Sequence, residues 1–597
     1  MSRNIEQKRA GTTEEKMDNQ KIAFISCVSD EVMYRECLLY IGRLEVPDGY
    51  QVECVAIRNA VSVTEGYNTA MHTTDAKYKV YLHQDVYILN RRFLHDILNI
   101  FQADETIGLM GMIGAQQLLP DAIWWGHGNM VGAVYNKSQT MQLLDGGEIV
   151  GTATDAQAVD GLLLATQQDI PFREDLFDGE YYYDVSQCVE FQKRGLRVIV
   201  PQQSTPWCLH TCGQSWDKQS YDRYRRIFLC EYSAFLFPLV SILIPTYNRP
   251  EYFRLALESA LNQTYLHTEI LIGDDSTNEE TEKLVREQYL GNHPNIRYYH
   301  NEKNLGQFDN DLKLLSMAQG NYVNFLMDDD LFHLQKIEKM ASYFITDKSQ
   351  EISLVTSHRM QINAEGKELG IFGQTDRIIQ KDTVLDGIGL GNYLLCNNFN
   401  MIGEPTTVLF DKRKLHAPFG TFGGRRYYCN VDQAAWLELL TQGKAIFINQ
   451  ALSSFRIYFT SHVGKNSEAL EISADLTYTV WQSRRYGYLH TSNSYLEAVQ
   501  KVMFMAEQDM RLQDVDHLRV SDKRIYLEIL LNLQKLFDWK HGLKCMEKDK
   551  PPYILAFGDL SMHHLDYSIL IRFVAEGIAN LLEQKLLQEQ IDVCLTM

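Results

Sequence analysis

The stretch FLMDDDLF, residues 325–332, sets Asp328, Asp329 and Asp330 side by side behind an apolar run. Adjacent carboxylates repel one another. They are tolerated when solvated, or when a cation or a donor-rich ligand sits between them. A second acidic pair, Asp274–Asp275, closes the apolar run EILIGDD. A third constellation, His83-Gln84-Asp85, follows KYKVYL, and His210 lies between Cys208 and Cys212 in WCLHTC. His83, Asp85 and His210 together would suit a transition ion such as Mn2+. The alternating Cys-His-Cys spacing lacks the paired CxxC knuckles of a structural zinc site. The plain alternative in each case is an acidic surface turn or a core histidine.

The elements that must carry these groups have a clear rhythm. LVSILIPTYN (239–248) is a continuous apolar run ending in turn residues, as a buried parallel strand should. Pro250 then opens a helical pattern, EYFRLALESALNQ. TEILIGDDST is the next strand, with Asp275 or Ser276 placed to cap the helix after it. IRYYHN is a strand, LGQFDNDLKLLSMAQG a helix closed by Gly320, and NYVNFLMDDD a further strand. The first third repeats the pattern with KIAFISCVSD, EVMYRECLLYIGRL and YQVECVAIRNA, and with KYKVYLHQDVYILN (77–90) as one strand. Strands alternating with helices predict α/β, doubly wound sheets, in which ligands bind at the carboxyl ends of the strands. Every acidic group named above falls at or near such an end. The last ~120 residues read as amphipathic helices.

Composition bounds the partners. At 597 residues the chain needs more than one core. A net charge of −20 excludes a general affinity for nucleic acid or anionic membrane. The apolar stretch from Ile227 to Ile244 contains Glu231 and Pro238 and reads as no membrane span. Residues 1–20 mix charges without an apolar core and read as a disordered leader, with no signal peptide. The 11 cysteines contain no CxxC pair, which fits reduced thiols in a cytoplasmic protein.

Spacing suggests a duplication. Asp85 and Asp184 are 99 residues apart, and Asp330 and Asp432 are 102 apart. His210 follows Asp184 by 26 residues, and His462 follows Asp432 by 30. Both later aspartates precede helical patterns, VSQCVEF and QAAWLELL.

Residues 239–465 resemble family 2 glycosyltransferases of the GT-A fold. The resemblance is carried by VSILIPTYNRPEYFRLALESALNQTY, EILIGDDST, NEKNLGQFDND, GNYVNFLMDDDLF, IGEPTTVLF and NVDQAAWLEL. Residues 21–213 resemble a bacterial glycosyltransferase-like family through GYNTAM, YKVYLHQDVYI, VDGLLLAT, DLFDGEYYYDVSQC and PWCLH. The chain thereby resembles a bacterial tandem glycosyltransferase. The expected organisation is a leader (1–20), a first GT-A-like domain (21–238), a family 2 domain (239–475) and a helical tail (476–597). The tail is a candidate for homodimer formation or acceptor docking.

The resemblance implies transfer of a sugar from a nucleotide-sugar donor, a UDP-sugar by preference, to a glycan or glycoprotein, with inversion and with Mn2+ or Mg2+. Pro245, Thr246, Tyr247, Asn248, Asp274 and Asp275 would wrap the nucleotide. Asp328 would face its ribose and Asp330 would ligate the metal, with Asp329 able to share either role. His462 would be a late metal or phosphate contact. Asp432 would be the base, its alternative being a first-turn acid of its helix. Glu404 would line the acceptor side. In the first domain Asp184 would be the base, with Asp178 and Glu180 as neighbours able to replace it. Trp124 and Trp125 would stack on an acceptor sugar, or form a core pair. The first domain has no acidic pair equivalent to Asp274–Asp275, so its rival reading is a glycan-binding or scaffolding module. A dehalogenase-type phosphatase also places aspartates at a strand end, but DDDLFHL lacks the Thr or Val that class requires.

Overall fold

The computed structural model describes residues 17–137, 140–147, 149–211, 216–458, 465–511, 513 and 518–537. The chain divides into two compact units, 1–237 and 238–597. Most of the expected leader and the last part of the expected tail lie outside the described residues, as does His462.

The first unit is built on strands β1 (Asp18–Val28), β2 (Gln51–Arg58), β3 (Ala76–Leu82), β4 (Val86–Ile88), β5 (Ile107–Gly111), β6 (Ala153–Asp155), β7 (Leu163–Thr166), β8 (Arg197–Pro201) and β9 (Cys208–His210). Its main sheet runs β2-β1-β3-β7-β5-β8-β6. β1 lies parallel to β2 and β3, β7 is antiparallel to both β3 and β5, and β8 is parallel to β5. The stretch expected as a single strand over 77–90 is broken. β3 ends at Leu82, His83–Asp85 form a turn, and β4 leaves to pair antiparallel with β9. Three polar residues inside an apolar run are the local cause, since a buried central strand cannot hold them.

The second unit uses β10 (Val240–Thr246), β11 (Thr268–Asp274), β12 (Ile296–His300), β13 (Tyr322–Phe325), β14 (Leu331–Phe332), β15 (Ile352–Ile362), β16 (Leu409–Asp411) and β17 (Lys444–Arg456). They run β12-β11-β10-β13-β16-β15-β17-β14 along the main path of the sheet. β10 is parallel to β11 and β13, β16 is antiparallel to β13 and β15, and β15 is parallel to β17. Order and direction over six strands therefore match β2-β1-β3-β7-β5-β8. Asp85 immediately precedes β4, as Asp330 precedes β14. β4 pairs antiparallel with β9, as β14 does with the end of β17. The spacing argument for a duplication thus has its counterpart in strand order. The sheets are mixed, with one antiparallel strand at the centre of each and another at the edge, β6 against β8 and β14 against β17.

Eight helices carry the argument: α1 (Tyr183–Lys193), α2 (Pro250–Leu261), α3 (Glu280–Gln288), α4 (Gln307–Met317), α5 (Val431–Leu440), α6 (Lys465–Gln482), α7 (Ser492–Arg511) and α8 (Val520–Phe537). α4 ends at Met317, short of the expected Gly320. α3 starts after Glu279, so neither Asp275 nor Ser276 caps it. The apolar stretch from Ile227 to Ile244 resolves into the end of a helix, Lys218–Leu236, followed by β10. Among the described residues no helix is long and apolar enough to cross a membrane.

The described part of the expected tail belongs to the second unit's core. Leu470, Ala474, Val480, Tyr488, Val502, Leu530 and Leu533 are buried in one cluster with Phe410, Phe447 and Trp436. Trp436, on α5, is fully buried against Phe410 and Phe419, and its Nε1–H donates to the Gly403 carbonyl at 2.8 Å. It thereby ties the helix of Asp432 to the turn of Glu404. Trp436→Ala should lower stability by about 3–5 kcal/mol in urea unfolding, because it leaves a cavity and leaves the Gly403 carbonyl only its long bond from Asn400.

Candidate active sites

In the second unit the carboxyl ends of β10, β11 and β13 open on a cleft of 350 Å³. Pro245, Thr246, Tyr247, Arg249, Asp275 and Asp328 are among its lining residues. Asn248 has a left-handed backbone, φ 52°. Its N–H donates to Ser276 Oγ at 2.8 Å and its Oδ1 accepts from the Thr277 N–H at 3.0 Å. It thus staples the two strand ends that form one wall. Of the acidic pair, Asp275 lines the cleft and accepts from Asn301 Nδ2 at 2.6 Å and the Leu305 N–H at 3.1 Å. Asp274 is fully buried, and its oxygens are taken up by the Ser276 N–H at 2.8 Å and Tyr298 Oη at 2.6 Å. It holds the turn.

The aspartate triplet is divided by what reaches each member. Asp328 Oδ2 accepts from Thr246 Oγ1 at 2.9 Å and the Tyr247 N–H at 3.2 Å. Asp329 Oδ2 accepts from Arg249 Nη1 at 2.7 Å and Tyr458 Oη at 3.0 Å. Asp330 accepts from Thr406 Oγ1 at 2.6 Å and the Arg456 N–H at 3.0 Å. Burial and the neighbouring charge of Asp329 push Asp328 up to about 6 and Asp330 up to about 8. Each holds its proton more tightly than an ordinary carboxyl, because burial disfavours the charged form and the charge of Asp329 adds to it. This donor set fits a hard divalent cation, which would supply the missing positive charge.

Asp432 lies in the first turn of α5 and accepts from Asn400 Nδ2 at 2.8 Å. Burial, and then the charge of Glu404, raise it to about 7, against the opposing pull of Arg359. Glu404 itself is paired with Arg359 at 2.6 Å, and that guanidinium is buried above the Phe372 ring, 4.4 Å from its centroid. A carboxylate that is half protonated near neutrality is suited to taking a proton from a hydroxyl.

The first unit gathers its expected residues on the equivalent turn. Ligand atoms of His83, Asp85 and His210 lie within 4.8 Å of one another. Burial, reinforced by His210, lowers His83 to about 3, so its ring is neutral. His83 Nε2 is 2.6 Å from Tyr183 Oη, and His210 Nε2 is 3.6 Å from Asp85 Oδ1. Two imidazoles and one carboxylate fit a transition ion. Gln84 makes a contact like that of Asp328 with the Tyr247 N–H, since its Oε1 accepts from the Ser29 and Asp30 N–H groups just after β1, both at 2.8 Å. Asp184, at the start of α1, accepts from the Gly161 N–H at 2.8 Å, and burial together with Asp160 raises it to about 7. Asp178 is engaged by Tyr224 Oη at 2.6 Å. Trp124 is buried while Trp125 is 40% exposed, with the two rings edge to face at 5.4 Å. Only the second could meet a sugar.

Arg249, Thr406, Arg456, Tyr458 and Arg359 escaped the sequence reading. Arg249 had a signal, being a cation directly after the strand end PTYN, and Thr406 stands in GEPTT. Arg359 lies inside β15, Arg456 ends β17 and Tyr458 follows it, and none has a local mark.

Residues 23–232 match the glycosyltransferase like family, and residues 241–416 match glycosyl transferase family 2. The chain is 28% identical over 221 residues to TuaG of Bacillus subtilis strain 168, a glycosyltransferase assigned to teichuronic acid biosynthesis; the match covers 37% of this chain and 79% of that protein. It is 34% identical over 129 residues to the chondroitin synthase of Escherichia coli, covering 22% of this chain and 18% of that protein. Among solved structures, residues 1–349 of S. aureus TarS in complex with UDP-GlcNAc align with a TM-score of 0.35 at 15% identity, over 50% of this chain and 81% of that one.

Proposed function

The chain is a tandem of two glycosyltransferase-family domains, and on that premise we propose that the second domain transfers a sugar from a nucleotide-sugar donor, a UDP-sugar, to a glycan or glycoprotein acceptor with inversion. The observation that carries this reading is the cleft at the ends of β10, β11 and β13, whose walls are Tyr247, Asp275, Asp328 and Asp329. Tyr247 is 47% exposed, free to lie against a base, and Asp275 and Asp328 offer acceptors to ribose hydroxyls. Asp330, with Asp328 or Asp329, would hold Mn2+ or Mg2+, which when bound neutralises charge on the departing nucleoside diphosphate. Arg249, already against Asp329, adds a fixed cation on the same wall. Asp432 takes the proton from the acceptor hydroxyl, and Glu404 and Arg359 set the charge around it. The acceptor class is supported by the names of TuaG and chondroitin synthase, both enzymes of polysaccharide synthesis.

The first domain is proposed to be a second transferase. His83, Asp85 and His210 would hold its cation and Asp184 would be its base. Two transfers in one chain would raise the effective concentration of the intermediate glycan at the second site. A cytoplasmic setting is supported by the cysteines, which are all free among the described residues. Most apolar side chains of α6–α8 pack into their own core, while Phe504 and Val520 are exposed, so these helices give little support to a homodimer through the tail.

The test is nucleotide release from a panel of nucleotide sugars with Mn2+, comparing wild type with Asp85→Ala. Two donors consumed, one of them lost in Asp85→Ala and the other retained, is the expected result. One donor consumed equally by both proteins would recast the first domain as a binding module. Release from no donor in the panel, with acceptor polysaccharide supplied, would count against the whole reading.

A further inference from the structure

α6 opens the chain's C-terminal helices, and one of its residues reaches the turn that carries Asp432. Asp475 has no solvent exposure. Its carboxylate accepts from the Tyr428 N–H at 3.1 Å, the Cys429 N–H at 2.9 Å and the Asn430 N–H at 3.1 Å. Arg425 Nη1 completes the set at 2.8 Å. A buried carboxylate is costly unless fully hydrogen-bonded, and three amides with a guanidinium meet that need. The bonds also answer a need of α5. Asn430, its N-cap, makes no side-chain cap bond, so the N–H groups leading into the helix would otherwise have no side-chain acceptor.

A second clamp holds the same segment. Arg425 Nε pairs with Glu528 of α8 at 2.6 Å, and Tyr428 Oη donates to the other Glu528 oxygen at 2.8 Å. The guanidinium lies 5.3, 4.7 and 5.0 Å from the ring centroids of Tyr427, Tyr428 and Tyr478. Residues 425–430 are thus fixed at backbone and side chain by two helices outside the α/β sheet.

We propose that Asp475 is a positioning residue for the transfer reaction, through which the C-terminal helices hold the Tyr428–Asn430 backbone and so the carboxylate of Asp432 against the acceptor. Asp432 stands two residues beyond the last amide that Asp475 holds, so movement of that backbone moves the base directly. Small displacements of a reacting group cost large factors in rate. The donor cleft is lined from other elements, and the held segment meets it only at one remove, through Arg426 against Asp309 and Phe308 of α4, so donor affinity should change less than kcat.

This rests on Asp432 being the base, and the experiment separates the two. Asp475→Asn keeps the side-chain shape but loses the charge and places an N–H2 among donors. In the full chain it should accelerate amide exchange over 428–430, measured by mass spectrometry, while exchange in the β10–β13 sheet is unchanged. With a UDP-sugar panel and Mn2+, its kcat should fall by about tenfold or more while the donor KM stays within about twofold. Glu528→Gln, at a half-buried site, should move both readouts the same way by less, and it is the variant to read if Asp475→Asn gives no cooperative melt. Faster exchange with kcat unchanged, or unchanged exchange, overturns the proposal. Asp432→Asn measured beside them identifies the other failure: if it retains turnover, the base assignment is wrong whatever Asp475 does.

Discussion

Asp330→Ala should reduce nucleotide release by the second domain about 10³-fold, the scale of losing a principal electrostatic contact to the leaving group. Its carboxylate takes a hydroxyl hydrogen bond from Thr406 and an amide hydrogen bond from Arg456. Neither donor brings a charge. Two guanidinium groups reach this turn: Arg249 is engaged with Asp329 at 2.7 Å and stands 3.8 Å from Asp328, and Arg456 Nε donates to the Asp329 carbonyl at 2.7 Å, so neither is paired with the Asp330 carboxylate. Asp330 is therefore the member of the triplet with no cation of its own and the strongest case for meeting one from solution. Asp330→Asn keeps the side-chain shape and one of the two hydrogen-bond acceptances, its NH2 being a donor only, and should lose nearly as much, because the charge and not the shape is at issue. Asp329→Asn, which loosens Arg249 and Tyr458, should cost less. The measurement is donor turnover at saturating Mn2+, with melting temperature as the control. Relief of the buried carboxyl and loss of the acceptor for Thr406 and the Arg456 N–H oppose one another, so the melting temperature should change little. A variant that loses activity and stability together would point to a structural role instead.

Much of this site was legible because it is local. A buried strand announces itself by an unbroken apolar run, and the turn after its carboxyl end is the ligand edge of an α/β sheet. Thr246, Tyr247, Asp275 and the triplet could all be found that way. Asp432 and Asp184 were reachable through spacing, because the two units share strand order and so repeat their landmarks. The remainder of the site is assembled by contacts that no window contains. Arg456 donates to Asp330 across 126 positions, and Tyr458 reaches Asp329 across 129. The break at His83–Asp85 was readable in principle from three polar residues in an apolar run, but alternation alone does not say whether a strand ends or bulges. Asp274 and Asp275 look alike in sequence. Which of them faces the cleft depends on Tyr298 of β12, a partner fixed only when the sheet forms. The helices from residue 476 onward read as an appendage because amphipathic periodicity shows an apolar face without showing what covers it. Here the covering surface is the α5 layer of the second unit.

Asp432→Asn should lower kcat about 10³-fold with little effect on donor KM, since general-base catalysis contributes on that scale and the residue acts on the acceptor. The pH dependence gives the sharper test. The base works deprotonated, and burial with the charge of Glu404 raises Asp432 to about 7. The rate should therefore be level above about pH 7 and fall about tenfold per unit below it, as the proton returns. Glu404→Gln works on this limb without touching the base. It removes the charge that raises Asp432 and frees Arg359, whose charge lowers it. Both changes favour the ionised form, so the limb should move to lower pH. The same substitution should lower the plateau, because a carboxylate that ionises more easily is a weaker base. A plateau and limb both unchanged in Glu404→Gln would place the titrating group elsewhere. A limb that persists in Asp432→Asn would do the same, whereas its loss along with the activity would identify the carboxylate that the spacing of the two units had singled out.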